Sequence, residues 1–565
     1  MAPQIRLVGD FNIEPLARLL RASESAHGYA VHNADFGQVI QSLRAPHQPY
    51  ETTDVVFVWA RPESVVSGFA RALAYERVDE ASILAEVDQF ADALLDTASR
   101  CAMLLLPDWV LPHGYRGLGP LDGRRGVGAS GHLVQMNAHL AQRIESASNI
   151  FTLNTAAWFS KIGASASTPK MWYAAKVPFA HTVFAEAAAD VRSAIDGMKG
   201  KARRVIVVDL DDTMWGGVVG ETGWQGLHLG GHHHLGEAFV EFQRALKAMS
   251  RRGVQLAICS KNDESVAMEA ITQHPEMVLR RDDFSAWRIS WNDKATGIRE
   301  IAEELNLGLA SFVFIDDNAS ERGRVRELLP EVLVPEWPSD PTRYVQAFHE
   351  LRCFDVVAIS AEDEARTKMY ADERVRREAA KSAGGPDAWL DSLGVQVDAK
   401  LLSAEDLPRA TQLLNKTNQL NLATRRLSET ELTEWASATG REVWTFRVED
   451  RFGQSGLTGL LSVELAGETL HIVDYLLSCR VMGRKVEETM MHLAWSRANA
   501  MGARDVHARL IETERNAPCV ALWRASGFAE QEPLHFTWSV ASEYVKPSSV
   551  LLQYADRVAS ESGGS

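Results

Sequence analysis

The sequence predicts a multidomain α/β protein in three parts, two built on parallel sheets and the last of α+β type. Three observations predict it. The chain has 565 residues, too many for one hydrophobic core, and about 150 residues per domain gives three or four. Up to about residue 355, short apolar runs alternate with helical stretches, as in strands joined by crossover helices. Beyond about residue 390 strands crowd together, with one long helix between the last two.

The elements follow in order. IRLVGDFN is a strand ending in a turn, and DVVFVWARPES (Asp54 to Ser64) and MLLLPDWVLP (Met103 to Pro112) are further strand-like runs of a first domain, residues 1–195. DGMKGKARR, Asp196 to Arg204, is polar and glycine-bearing and reads as a linker. A second domain, 204–355, runs VIVVDLDDT, a helix from Leu235 to Arg251, VQLAICS, more helices, then SFVFIDD. Its strands are continuously apolar, as strands buried on both faces are. A charged helical connector covers 356–390. The third domain, 391–545, carries the strands WTFRVED, GLTGLLSVEL, TLHIVDYLLS and DVHARLI and a helix from Arg484 to Met501; 546–565, ending SESGGS, reads as a flexible tail.

Composition narrows the class. Hydrophobic content of 46% with 24% charge is that of a globular chain. No apolar run approaches the roughly 20 residues that span a bilayer, and MAPQIRLVGDFNIEP lacks the layout of a signal peptide. Five cysteines without a CxxC pair fit reduced thiols, so a cytoplasmic location is expected. A net charge of −16 argues against nucleic acid as a partner, and an acidic partner would need a local basic patch.

The chemistry concentrates at strand ends. Asp209 closes the run VIVVD, with Asp211 two residues on and Thr213 after it. In a parallel sheet ligands sit beyond the carboxyl ends of strands, so Asp209 is presented at the active edge. Crowded carboxylates become tolerable around a divalent cation, and oxygen-only sites suit Mg²⁺. A second strand ends in Ser260, a third in Asp316 and Asp317, and WNDKA between them supplies Lys294. An acidic loop on a structural domain is the other reading of the first motif taken alone.

The four motifs in this order resemble the haloacid dehalogenase (HAD) superfamily of aspartyl phosphotransferases. The resemblance implies that Asp209 is the nucleophile, that Asp211 protonates the leaving alcohol and then activates water, and that Thr213, Ser260 and Lys294 hold phosphoryl oxygens. It also implies Mg²⁺ on Asp209, Asp211, Asp316 and Asp317. About fifty residues separate Asp209 from Ser260 and about thirty-five Ser260 from Lys294, too few for a separate cap domain, so an open site is expected. WGGVVGETGWQG, Trp215 to Gly226, is expected to form a hairpin flap over it. The histidines at 232 to 234 read as a polar loop before the Leu235 helix.

In the third domain a strand ends at Ser478, and Arg480-x-x-Gly483 opens a helix whose N–H groups suit phosphate. With Asn516 and ALWRASGF, this resembles the GCN5-related N-acetyltransferase (GNAT) fold. The resemblance implies pantetheine or carrier binding by Arg480, Gly483, Arg484, Lys485 and Asn516, with Lys485 departing from the small residue of the pattern. WYAAK, WGGVVGE, CSKND, NKTNQLNLATRR, DRFGQSGLTG and LLSCRVMGRKVE together resemble the FkbH-like proteins of polyketide pathways. That resemblance implies transfer of a glyceryl unit from 1,3-bisphosphoglycerate to an acyl carrier protein, with dephosphorylation, for polyketide extender units or tetronates. Cys259 or Cys479 would hold the acyl group between steps; both also fit as small buried hydrophobes. Asn415, Thr417, Asn418 and Asn421 either line a substrate pocket or form a solvated turn. GDFN resembles the turn of SGNH-type esterases with Phe11 in the nucleophile's place, so an SGNH/flavodoxin-like, non-hydrolytic first domain is expected. Two other readings stay open: a phosphatase of a small molecule or phosphoprotein with a degenerate GNAT domain, and a non-catalytic carrier-docking protein.

Overall fold

The computed structural model describes residues 4–22, 29–44, 54–231, 233–357, 376, 385–417, 420–513 and 516–554. The chain divides into two compact units, Met1–Ala202 with Glu350–Ala358, and Arg203–His349 with Ile359–Ser565. Their sheets follow the predicted multidomain α/β layout: two all-parallel sheets, within residues 4–153 and 205–315, and a mixed sheet within 395–554.

In the first unit, β1 (Gln4–Gly9), β2 (Ala30–Asn33), β3 (Val55–Trp59), β4 (Met103–Pro107) and β5 (Ile150–Leu153) form one sheet in the order β2-β1-β3-β4-β5. Every pairing is parallel, and β3 and β4 are buried along their whole length because helices cover both faces. Phe11, just past β1, is 1% exposed and packs edge-on against Trp59 and Phe179 at 5.4 and 5.5 Å. A benzyl group in an aromatic core has no attacking atom to offer. The preceding Asp10 is paired with Arg61 at 2.8 Å. Asn137 exchanges hydrogen bonds with the Trp109 backbone at 3.1 and 2.8 Å, a satisfied polar residue. From Glu350 the chain belongs again to this unit, earlier than the expected boundary at 355, because Ser193 donates to the Arg352 carbonyl and the Arg352 guanidinium pairs with Glu186 and Asp190.

In the second unit, β6 (Val205–Val208), β7 (Gln255–Ser260), β8 (Ala286–Ile289) and β9 (Phe312–Ile315) form a parallel sheet in the order β8-β7-β6-β9. The strand order reverses at β6, which is where an open α/β sheet forms its ligand crevice. Helices Glu264–Gln273 and Ala319–Leu328 begin just beyond β7 and β9, capped by Asp263 and Asn318 side chains. The expected hairpin flap is a different object. Gly216 and His228 make a single bridge, and within it lie a one-turn helix, Val219–Thr222, and a 3₁₀ turn, Trp224–Gly226. Gly217 and Gly223, at φ +96° and +64°, turn the chain where two strands would have to run straight.

The third sheet comprises β10 (Val395–Leu401), β11 (Leu420–Asn421), β12 (Arg441–Asp450), β13 (Gly453–Ala466), β14 (Thr469–Leu477), β15 (Asp505–Arg509), β16 (Ala529–Glu532), β17 (His535–Ser539) and β18 (Val550–Tyr554). Its order is β16-β17-β15-β14-β13-β12-β10-β18, with β11 on β14. Helices Val486–Ala500 and Ala517–Ala525 pack on one face, and Leu407–Lys416 and Glu429–Ala436 on the other. The domain extends past the expected end at 545, since β18 pairs in parallel with β10 and buries Val550. Of the expected tail, 555–565 lie outside the described residues, as does the connector apart from its ends and Arg376.

β14 and β15 are parallel neighbours only over Thr469–Ile472 and Asp505–Ala508. Farther along, β13 holds one edge of Leu476 and Leu477, and β11 takes the other. Leu422 then donates to the Tyr475 carbonyl at 3.0 Å and accepts from Ile511 N–H at 2.8 Å. Leu420–Leu422 thus fills the gap where β14 and β15 part.

Candidate active site

The site begins with register. Val208 of β6 stands beside Ile315 of β9, so the next residues, Asp209 and Asp316, emerge side by side at the sheet's carboxyl edge. Lys294 is the first residue of the helix Lys294–Leu305, which follows β8. Its ammonium group bridges the two carboxylates, 2.9 Å from Asp209 Oδ2 and 2.6 Å from Asp316 Oδ2. Burial opposes that charge, but the two carboxylates outweigh it and raise the Lys294 pKa. Asp316 is fully buried and accepts from Asn318 N–H at 2.8 Å. Burial, with Asp209 beside it, still pushes its pKa up to about 6. Asp317 is also shifted upward, by burial and then by Asp209.

One cation cannot satisfy this many charges. Asp209, Asp316 and Asp317 each offer an oxygen, and these lie within 4.8 Å of one another. Asp209 Oδ1 is buried with no hydrogen-bond partner among the described residues. Leaving a charged oxygen in that state is costly, and a second cation relieves it. An oxygen-only donor set around an orphaned carboxylate fits Mg²⁺, with Asp209, Asp316 and Asp317 as the side chains that would hold it.

Asp211, expected among the metal ligands, stands outside that set. Its Oδ1 accepts from the Trp215 indole N–H at 2.8 Å and Val219 N–H at 3.1 Å, and its Oδ2 from the Asn262 amide at 3.0 Å. Thr213, expected on phosphate, spends its hydroxyl on Asp317, donating to Oδ1 and accepting from the backbone N–H, both at 3.1 Å. It is a strut. Ser260, 3% exposed at the end of β7, accepts from Asn262 at 3.2 Å. Cys259 points the other way. Its thiol packs among Ala257, Ala295 and Ile298, lies 3.5 Å from the Lys294 carbonyl, and is pushed by burial up to about 12. Its place in the apolar layer and the upward shift of its thiol both count against Cys259 as an acyl carrier. His233 caps the helix His234–Arg251 by accepting from Leu235 N–H at 3.3 Å, and His232 lies outside the described residues.

Sequence reasoning missed several residues of this site. Arg322 donates to the carbonyls of Asp316 and Asp317 at 2.8 and 2.7 Å and holds the acidic pair's backbone. Tyr344 donates to the Asp212 carbonyl at 2.9 Å. Asn262 and Trp215 hold Asp211. The only local signal was proximity, since Asn262 stands two residues after Ser260 and Trp215 four after Asp211.

In the third domain most expected binding residues are engaged internally. Gly483 N–H, the expected phosphate donor, gives its hydrogen bond to Glu487 Oε1 at 2.7 Å, so a buried carboxylate fills the turn. Arg484 is buried against Asp450 at 2.9 Å, beside the Arg376–Asp450 pair at 2.7 Å. Arg480 donates to Ser478 Oγ at 3.1 Å, and Lys485 meets Glu488 at 2.6 Å. Asn516 is fully buried, giving its amide to the Asn421 and Ile511 carbonyls and accepting from Thr513 N–H. The expected phosphate grip is not formed by these groups.

The polar run behaves likewise. Asn415 pairs with the Leu427 backbone, Asn421 ties Thr417 O to Thr424 N–H, and Arg425 forks onto buried Asp474. Asn415 and Asn421 therefore hold a strap in place, and Thr417 ends the helix Leu407–Lys416. Asn418 and the side chain of Cys479 lie outside the described residues. Asn516→Ala is expected to cost about 3 kcal/mol, because it orphans a buried N–H and two carbonyls; urea unfolding measures it.

The acidic cluster also sets a proton linkage. Asp316 ionises at 3.8 unperturbed and at about 6 here, so protonation favours the folded, metal-free state. That contribution is complete below about 3.8 and is lost as pH rises through about 6. Metal-free protein should therefore shed stability across this window, and Mg²⁺ binding near pH 6 should release protons. Calorimetry in two buffers of different ionisation enthalpy counts them.

No family model matches the chain, and no curated protein matches it. Among solved structures it is similar to the N-terminal part of BF1531 from Bacteroides fragilis, which contains a phosphatase domain complexed with Mg. Identity is 27%, the TM-score is 0.58, and the match covers 63% of this chain and 96% of that one. It is also similar to the ribosomal-protein-S18-alanine N-acetyltransferase of Escherichia coli, at 12% identity over 24% of this chain and 79% of that one, TM-score 0.19. A mutant of the SpeG spermidine N-acetyltransferase from Vibrio cholerae matches at 15% over 26% and 95%, TM-score 0.21.

Proposed function

We propose that this chain is a Mg²⁺-dependent phosphatase and acyltransferase that loads a glyceryl unit from 1,3-bisphosphoglycerate onto the phosphopantetheine thiol of an acyl carrier protein. The observation that carries the phosphatase half is the buried Asp209 oxygen with no hydrogen-bond partner among the described residues, beside Asp316, Asp317 and the bridging Lys294. The likeness to a Bacteroides fragilis phosphatase-domain structure complexed with Mg supports the same half.

The chemistry has two parts. At C1 the substrate is an acyl phosphate, already activated. The carrier's thiolate forms the C–S bond as the C1–O bond to phosphate breaks, and inorganic phosphate leaves. At C3 the phosphate is an inert ester. Asp209 attacks phosphorus, the ester P–O bond breaks, and Asp211 gives the leaving alkoxide its proton. Water then attacks the aspartyl phosphate, Asp211 takes the water's proton, and the second phosphate is released. Lys294 and the Ser260 hydroxyl supply cationic and hydrogen-bonding stabilisation of the phosphoryl oxygens. Mg²⁺, when bound, neutralises charge that develops on those oxygens.

A second reading is favoured by two specific features. Glu487 fills the Arg-x-x-Gly turn and Leu420–Leu422 fills the gap between β14 and β15, as in a phosphatase whose third domain is degenerate. Incubating full-length protein with holo carrier, 1,3-bisphosphoglycerate and Mg²⁺ separates the two. Intact mass should show glyceryl on the carrier and two phosphates released per unit loaded. Phosphate release with an unmodified carrier would leave the second reading standing.

A further inference from the structure

We infer that Trp215 and Asn262 are positioning residues that hold Asp211, and through Asn262 the Ser260 hydroxyl, in the geometry for proton transfer to a leaving group. The inference rests on the phosphatase reading and adds to it the parts that aim the acid.

Asp211 is spared from the metal-competent set by three N–H donors that converge on it. Two of them, the Trp215 indole and Val219 N–H, take Oδ1. Trp215 is wholly buried, so its N–H must find an acceptor inside the protein, and Asp211 is that acceptor. The loop carrying Trp215 is pinned independently. Gln243 donates to the Met214 carbonyl at 2.8 Å, Asp212 accepts from Gly217 N–H at 2.8 Å, and Gly216 bridges His228. The indole is therefore delivered to Oδ1 by fixed backbone, not by a mobile flap.

Among the described residues Oδ2 has one donor, the Asn262 amide. That amide, 3% exposed, has two hydrogens and gives one to Asp211 Oδ2 and the other to Ser260 Oγ. Because Ser260 accepts there, its own proton is directed elsewhere, outward from the Asn262 amide. A single side chain thus orients both the acid and a phosphoryl donor. With Oδ1 held by two N–H groups, Oδ2 is the oxygen left to pass the proton. As the ester P–O bond breaks, the Oδ2–H proton goes to the alkoxide, and three donors stabilise the carboxylate that forms.

The test exploits leaving groups. Dinitrophenolate departs without a proton, whereas an alkoxide needs one. Full-length Trp215→Phe keeps the ring and removes the donor; Asn262→Ala removes the amide and carries the test if the first variant folds poorly. Both are assayed with Mg²⁺ on 2,4-dinitrophenyl phosphate and on glycerol 3-phosphate. Loss of kcat/KM, which reports transfer to Asp209 and not the later attack of water on the phosphoryl-enzyme, should be about 30-fold greater on the alkyl ester than on the aryl ester, within the range of general acid catalysis. Parallel loss of kcat/KM on both esters, or no loss on either, overturns the inference. Wild-type protein inert toward the aryl ester would instead overturn the phosphatase reading beneath it.

Discussion

Asp209→Asn is expected to abolish phosphate release from an alkyl phosphate ester, with a loss on the order of 10⁴-fold or more, while the fold survives. An amide cannot form the phosphoryl-enzyme, so this is the loss of a nucleophile and not of a binding contact. The structure also predicts the sign on stability. Asp209 is one of the charges that push Asp316 upward, so removing it relieves repulsion in the metal-free state. The variant should unfold at an equal or higher denaturant midpoint without Mg²⁺, and should gain less from added Mg²⁺ than wild type. Wild-type turnover by a well-folded Asp209→Asn protein would end the aspartyl-phosphate reading.

Lys294→Met is expected to have the second largest effect, and the reverse pattern. Its ammonium group is the cation seen between two carboxylates, 4% exposed, and methionine replaces it at similar volume with no charge. Removing one partner of a buried ion pair leaves uncompensated charge and costs about 3–5 kcal/mol. Mg²⁺ at a hundredfold excess over its Kd returns about 2.7 kcal/mol by mass action. Denaturant unfolding of metal-free protein should therefore shift far to lower midpoint and recover in part with Mg²⁺. Phosphate release from an alkyl phosphate ester should fall about 10²- to 10³-fold even with Mg²⁺, as when one stabilising donor is removed from a charged transition state. An unchanged midpoint in metal-free buffer would show that the Asp209–Lys294–Asp316 bridge carries no net energy.

The strand-end residues of the acidic site were legible because their signal is local. A buried strand is a continuous apolar run, and a carboxylate that ends one is an exception visible in a few letters. Asp209, Ser260 and Asp316 were found this way, and register across β6 and β9 brings two of them together. What failed was partner choice. Asp211 and Asp316 look alike in sequence, yet one is held by N–H donors and the other faces Lys294. Arg484, Asn516, Asn415 and Asn421 have the residue types of a binding site, and their partners are carbonyls, N–H groups and carboxylates of their own domain. Cys259 differs from Ser260 only by strand alternation, which turns it into the apolar layer.

By itself the sequence determined the three-part α/β organisation and the chemical kind of the edge residues, because burial periodicity and strand-ending charge are written in neighbouring positions. Only the tertiary structure decided which carboxylates share a cation, which one is held by N–H donors, and whether a polar run binds a ligand or straps the sheet. Several of those choices depend on hydrogen bonds between residues fifty to about a hundred positions apart, such as Asp211 with Asn262 and Thr213 with Asp317. Such pairs are set by register and burial, which no local stretch records.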